Sequence, residues 1–68
     1  MQYGTVKKWD AVKGFGFITS EDDEELFVHK SDLDVTVPNK QLKVGQRVAF
    51  DVVSEMKGDR AVRVRVAK

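Results

Sequence analysis

Apolar and polar positions alternate in short runs along this chain, and no stretch of about eleven residues keeps a helical period without a glycine or a break. The runs predict five short strands: Tyr3 to Trp9, Gly14 to Thr19, Leu26 to Lys30, Gln46 to Val53 and Ala61 to Val66, the last alternating Val62, Val64 and Val66 with Arg63 and Arg65. Between them lie Asp10 to Lys13, an acidic turn from Ser20 to Glu25, a long polar passage from Ser31 to Gly45 that holds Pro38, and a turn from Glu55 to Arg60. The long passage leaves two options open, a short 3₁₀ turn near Ser31-Asp32-Leu33 and a small extended piece at Val35-Thr36-Val37. Five strands in one small sheet leave edges and an unfilled face unless the sheet curls, so the pattern predicts an all-β, five-stranded antiparallel closed barrel. Its core is expected to include Val6, Ile18, Val28, Val48 and Phe50.

A period of two also sorts the rings. Along Gly14-Phe15-Gly16-Phe17-Ile18, Phe15 and Phe17 share one face and Ile18 takes the other. Along Leu26-Phe27-Val28-His29, Phe27 and His29 oppose Leu26 and Val28. If the aliphatic side fills the barrel, four rings stand outside it between Lys13 and Lys30, a surface suited to stacked bases with ammonium groups for the phosphates. The opposite assignment, with the rings in the core and the aliphatics against a partner, is left open by parity alone. It is disfavoured by Gly14 and Gly16, whose lack of side chains suits a sharply curved strand.

Composition narrows the chemistry. Sixty-eight residues allow one domain spanning 1–68, and the absence of cysteine excludes disulfide staples and thiolate zinc sites. Twelve valines, three threonines and an isoleucine fit the β assignment. The lone histidine, His29, has no recognisable acid–base or nucleophilic partner, so no enzyme is expected. No apolar run reaches the roughly 20 residues of a membrane span and no secretory pattern opens the chain, so a cytoplasmic, membrane-free protein is expected. A formal charge of +1 leaves the partner undecided. The five consecutive acids Glu21 to Glu25 read as solvated surface, and Ser31 as a cap for the turn after the third strand.

Lys13-Gly14-Phe15-Gly16-Phe17-Ile18 followed by Leu26-Phe27-Val28-His29 resembles the two short nucleic-acid-binding motifs of the cold shock domain family. Gly4-Thr5-Val6-Lys7, Ser31-Asp32-Leu33, Val44-Gly45-Gln46-Arg47-Val48-Ala49-Phe50 and Lys57-Gly58 extend the likeness over essentially the whole chain. The resemblance implies a barrel of the oligonucleotide-binding (OB-fold) type, without a cofactor, that binds single-stranded RNA and DNA, melts weak RNA structure and acts in transcription or translation. It implies stacking by Phe15, Phe17 and Phe27, with His29 beside them and Lys7 and Lys13 along the backbone path. Arg60, with Arg63 and Arg65, is either solvated exterior or an extension of that path.

The chain departs from the family at three stacking positions. Lys8 stands at the usual surface tryptophan, Lys30 at the usual phenylalanine after the histidine, and the Val35 to Gln41 loop has no ring. Trp9 falls at the second aromatic of the usual pair, where swinging to the surface would offset part of the loss, while Lys8 and Lys30 would add phosphate contacts. Weaker and more salt-dependent binding is therefore expected of a monomer. The competing expectation is a protein-interaction barrel, or a strand-exchanged dimer, that has lost nucleic-acid binding.

Overall fold

The structure is a computed structural model that describes residues 1–67; Lys68, the last position of the expected domain, lies outside the described residues. Five strands, β1 (Gln2–Asp10), β2 (Phe15–Ser20), β3 (Glu25–His29), β4 (Arg47–Glu55) and β5 (Gly58–Val66), close a barrel in the order β1-β2-β3-β5-β4. Four of the five pairings are antiparallel, and closure between β3 and β5 uses one short parallel pairing at Phe27 and Arg60. The barrel and its strands are those the alternation predicts, with ends displaced. The largest displacement is in β5, which starts at Gly58 because Asp59 and Arg60 pair with Ser54 and Val53, leaving Met56-Lys57 as a tight hairpin turn.

The expected core residues Val6, Ile18, Val28, Val48 and Phe50 are all buried, joined by Leu26, Ala61 and Val64 from the strands. Leu33, Val37 and Leu42 add to that core from the long connection between β3 and β4. This connection holds 3₁₀ turns at Lys30–Asp32 and Pro38–Lys40 and no strand. Val35-Thr36-Val37 forms no strand, because the Asp34 carboxylate accepts from both the Thr36 amide and its hydroxyl at 3.0 Å and turns the chain at Val35-Thr36 so that Val37 is buried.

Two bulges break the simple alternation. The β1–β2 register shifts between Val6 and Lys8, so Lys7 and Lys8 both face outward while Val6 and Trp9 face in. In β5 the register shifts beside Arg63, whose φ of 51° is left-handed, so Ala61 and Val64 are both buried although three positions apart. The expected regular alternation of Val62, Val64 and Val66 is thereby corrected: Val64 alone of the three is fully buried.

The turns are held locally. Asp10 accepts from the Val12 and Lys13 amides at 3.0 and 2.9 Å, and the buried Ser20 hydroxyl accepts from the Asp22 and Glu24 amides across the acidic turn. Glu21 pairs with Arg47 at 2.7 Å and Glu25 with Lys7 at 3.1 Å, so the ends of the acidic run are partnered.

Candidate nucleic-acid interface

The rings lie outside the barrel. Ile18 and Val28 are completely buried between the strands, whereas Phe15, Phe17 and His29 are half-buried and Phe27 is 36% exposed on the opposite face. Pairing of β2 with β3 sets Phe15 across from His29 and Phe17 across from Phe27. Phe27 is the hub, with ring centroids 5.8 Å from Phe15 in a tilted contact and 5.9 Å from Phe17 edge-on. These contacts fix the rings in place while leaving aromatic surface open to solvent.

The glycines permit this arrangement. A Cβ on Gly16 would collide with the Lys8 carbonyl, and on Gly14 it would lie 2.6 Å from Lys30 Cδ. Gly16 therefore lets β1 and β2 approach at the bulge. Gly14, at φ +75°, turns the chain into β2 and lets the Lys30 stem cross its backbone.

His29 ends β3 and caps the following 3₁₀ turn. Its Nδ1 accepts from the Ser31 amide at 3.1 Å and lies 2.9 Å from Ser31 Oγ, so the capping group is the imidazole and not the serine expected from the sequence. The amide can only donate, so the tautomer this bond fits leaves Nδ1 as the acceptor and carries the ring proton on Nε2. A base beside Phe15 thus meets an imidazole N–H donor.

The cations divide into two groups. Lys8 sits across from Phe17 in the β1–β2 register, Lys13 lies in the turn before β2, and Lys30 follows His29. None of the three is in an ion pair among the described residues. Lys7 is drawn to Glu25, and Arg60 is held between Asp32 at 3.3 Å and Glu55 at 3.2 Å. Trp9 stands apart from the rings: the bulge turns it inward, where it packs against the core with Nε1 buried. The structure thus brings together the rings of Phe15, Phe17 and Phe27, His29 bonded to Ser31, Lys8, Lys13 and Lys30 in no ion pair among the described residues, and Lys7 and Arg60 partnered by carboxylates. The β4–β5 hairpin also borders the rings: Phe17 and Phe27 share a groove of about 700 Å³ with Glu55, Met56, Asp59 and Arg60. Only Arg60 of these hairpin residues is marked by the sequence pattern, since the parallel β3–β5 pairing that brings the hairpin alongside leaves no local signal.

The description 'Cold-shock' DNA-binding domain belongs to the family model that matches residues 2–67. This chain is a member of the cold shock domain family. It is 50% identical over 64 residues to a cold shock-like protein of Aquifex aeolicus, covering 93% of this chain and 90% of the relative. It is 48% identical over 65 residues to a major cold shock protein of Pseudomonas aeruginosa, covering 96% and 93%, and 45% identical to one from Streptococcus pyogenes, covering 94% of each. Membership together with the exposed ring and lysine surface identifies a non-catalytic nucleic-acid-binding domain. No helix among the described residues is long and apolar enough to cross a membrane.

Proposed function

We propose that this domain holds single-stranded RNA and DNA across the outer face of β2 and β3, with low sequence preference, and acts in the cytoplasm as an RNA chaperone or a regulator of transcription or translation. Bases stack on Phe15, Phe17 and Phe27, His29 offers a donor at one end, and Lys8, Lys13 and Lys30 meet phosphates. The observation that carries this reading is the continuous contact of Phe15, Phe27 and Phe17 on an open sheet face beside unpaired lysines. Lys7 and Arg60 contribute less, because each must first leave a carboxylate.

The test is a titration of a fluorescein-labelled heptauridylate at about 50 mM salt, followed by anisotropy, with the wild type and a Phe27→Ala variant verified as folded by circular dichroism. Stacking is worth about 1–3 kcal/mol per base, so the variant is expected to bind about 5- to 150-fold more weakly. Failure of the wild type to bind at this salt concentration rejects the proposal and directs attention to a protein partner.

A further inference from the structure

The strand register orders charge across the interface. Lys8 on β1, Phe17 on β2, Phe27 on β3 and Arg60 on β5 lie in one transverse row, with the β4–β5 hairpin beyond Arg60. An unpaired ammonium, Lys8, therefore stands at the β1 margin, while the opposite margin presents the carboxylates of Glu55 and Asp59 together with Arg60, held by Asp32 and Glu55, and Lys57. Glu55 and Asp59 line the groove that Phe17 and Phe27 wall on its other side, and the fully exposed Met56 forms its lip. Lys57 also lines it, at the turn.

Both carboxylates are partly held. Glu55 Oε1 lies 3.2 Å from Arg60, and Asp59 Oδ1 accepts from Ser54 Oγ at 3.3 Å, leaving in each case a second oxygen without a partner among the described residues. Ionised carboxylates accept hydrogen bonds and do not donate them. A strand lying with its phosphates over Lys8 and its bases directed across Phe17 and Phe27 brings a base edge to these acceptors. The reverse orientation would set phosphates beside two carboxylates, with Arg60 already held by Asp32 and Glu55, and Lys57 at the turn as the remaining cation of the groove. We propose that this groove reads the edge of the base stacked on Phe17 and Phe27 and favours cytosine, whose exocyclic amine donates, over uracil, whose O4 only accepts, with Glu55 as the principal acceptor and Asp59 assisting.

This inference rests on the stacking function proposed above and deepens it, setting one position of preference within an otherwise tolerant site. The test uses labelled heptauridylate and the seven RNAs in which one uracil is replaced by cytosine, titrated into the wild type, Glu55→Gln and Asp59→Asn at about 50 mM salt. In the wild type, cytosine at one position is expected to tighten binding about fivefold. In Glu55→Gln the amide oxygen remains toward Arg60 and the amide NH₂ faces the groove. The cytosine preference at that position should then disappear or reverse, while affinity for heptauridylate holds or rises as a negative charge is lost. Asp59→Asn is expected to reduce the preference partially. Cytosine giving no gain at any position, or a gain that persists undiminished in both variants, overturns the inference while leaving stacking intact. Failure of all eight RNAs to bind the wild type removes the stacking function and the inference with it.

Discussion

The division between free and held cations sets how binding responds to salt. Each phosphate neutralised on a single strand contributes about −0.7 to the slope of log K against log salt. Lys8, Lys13 and Lys30 are in no ion pair among the described residues, whereas Lys7 and Arg60 are engaged with carboxylates, so three contacts give a slope of about −2.1. Between about 50 and 200 mM salt, affinity should then fall about 18-fold; five equal contacts would give about −3.5 and about 130-fold. The assay is anisotropy of labelled heptauridylate at four or more salt concentrations for the wild type, Lys8→Ala and Arg60→Ala. Lys8→Ala should flatten the slope by about 0.7, while Arg60→Ala should leave it nearly unchanged because its charge is already offset by Asp32 and Glu55. A wild-type slope near −3.5, or equal flattening by the two variants, would refute the division into free and held cations.

Gly16→Ala places a methyl against the Lys8 carbonyl, a backbone atom with little room to yield, and is expected to lower urea-unfolding stability by about 1–3 kcal/mol or more. Hydrogen bonds from the Thr36 amide and hydroxyl hold the Asp34 carboxyl below its usual value, and the Arg63 guanidinium does the same for Asp51. Folded values below unfolded ones mean that these groups stabilise the fold at neutral pH and lose that contribution as pH falls below about 4. Thermal melts between about pH 6 and pH 2 should therefore show a steady loss of stability, shallower in Asp51→Asn; an identical acid limb in that variant would contradict the assignment.

Much of this interface is legible from residue spacing within single strands. Parity alone separates Phe15, Phe17, Phe27 and His29 from Ile18, Leu26 and Val28, because a period of two needs no knowledge of the neighbouring strand. The bulges at Lys7-Lys8 and Arg63 are different, since a register shift is a relation between two strands and leaves no mark in the spacing of one. The sequence pattern therefore does not decide between an inward and an outward Trp9, and it makes the valines of β5 equivalent. Leu33, Val37 and Leu42 go unmarked for a related reason: they belong to an irregular connection whose apolar residues have no period. Nor does composition distinguish Lys8 from Lys7 or Arg60. Their difference is the proximity of Glu25, Asp32 and Glu55: Glu25 and Asp32 are remote in sequence from the cations they hold, and Glu55 meets Arg60 only because the β4–β5 hairpin folds back.

The bulge at Lys7-Lys8 makes the lost surface ring recoverable at a defined position. Because Lys8 faces outward across from Phe17, a Lys8→Trp substitution would extend the ring surface toward β1, while Trp9 remains against the core. Two effects oppose each other. The added indole offers about 1–3 kcal/mol of base stacking that salt barely alters, and the lost ammonium removes one phosphate contact that matters most in dilute salt. The variant should bind heptauridylate more tightly than the wild type, with its advantage growing about two- to threefold between about 50 and 200 mM salt as the wild type loses its extra contact. Intrinsic fluorescence supplies a second readout. Trp9, inward and with Nε1 buried, should report unfolding and respond little to RNA, whereas the introduced indole should be strongly quenched on binding. An advantage that stays constant or shrinks with salt would show that Lys8 makes no phosphate contact, and strong RNA quenching of Trp9 in the wild type would place that ring in the interface after all.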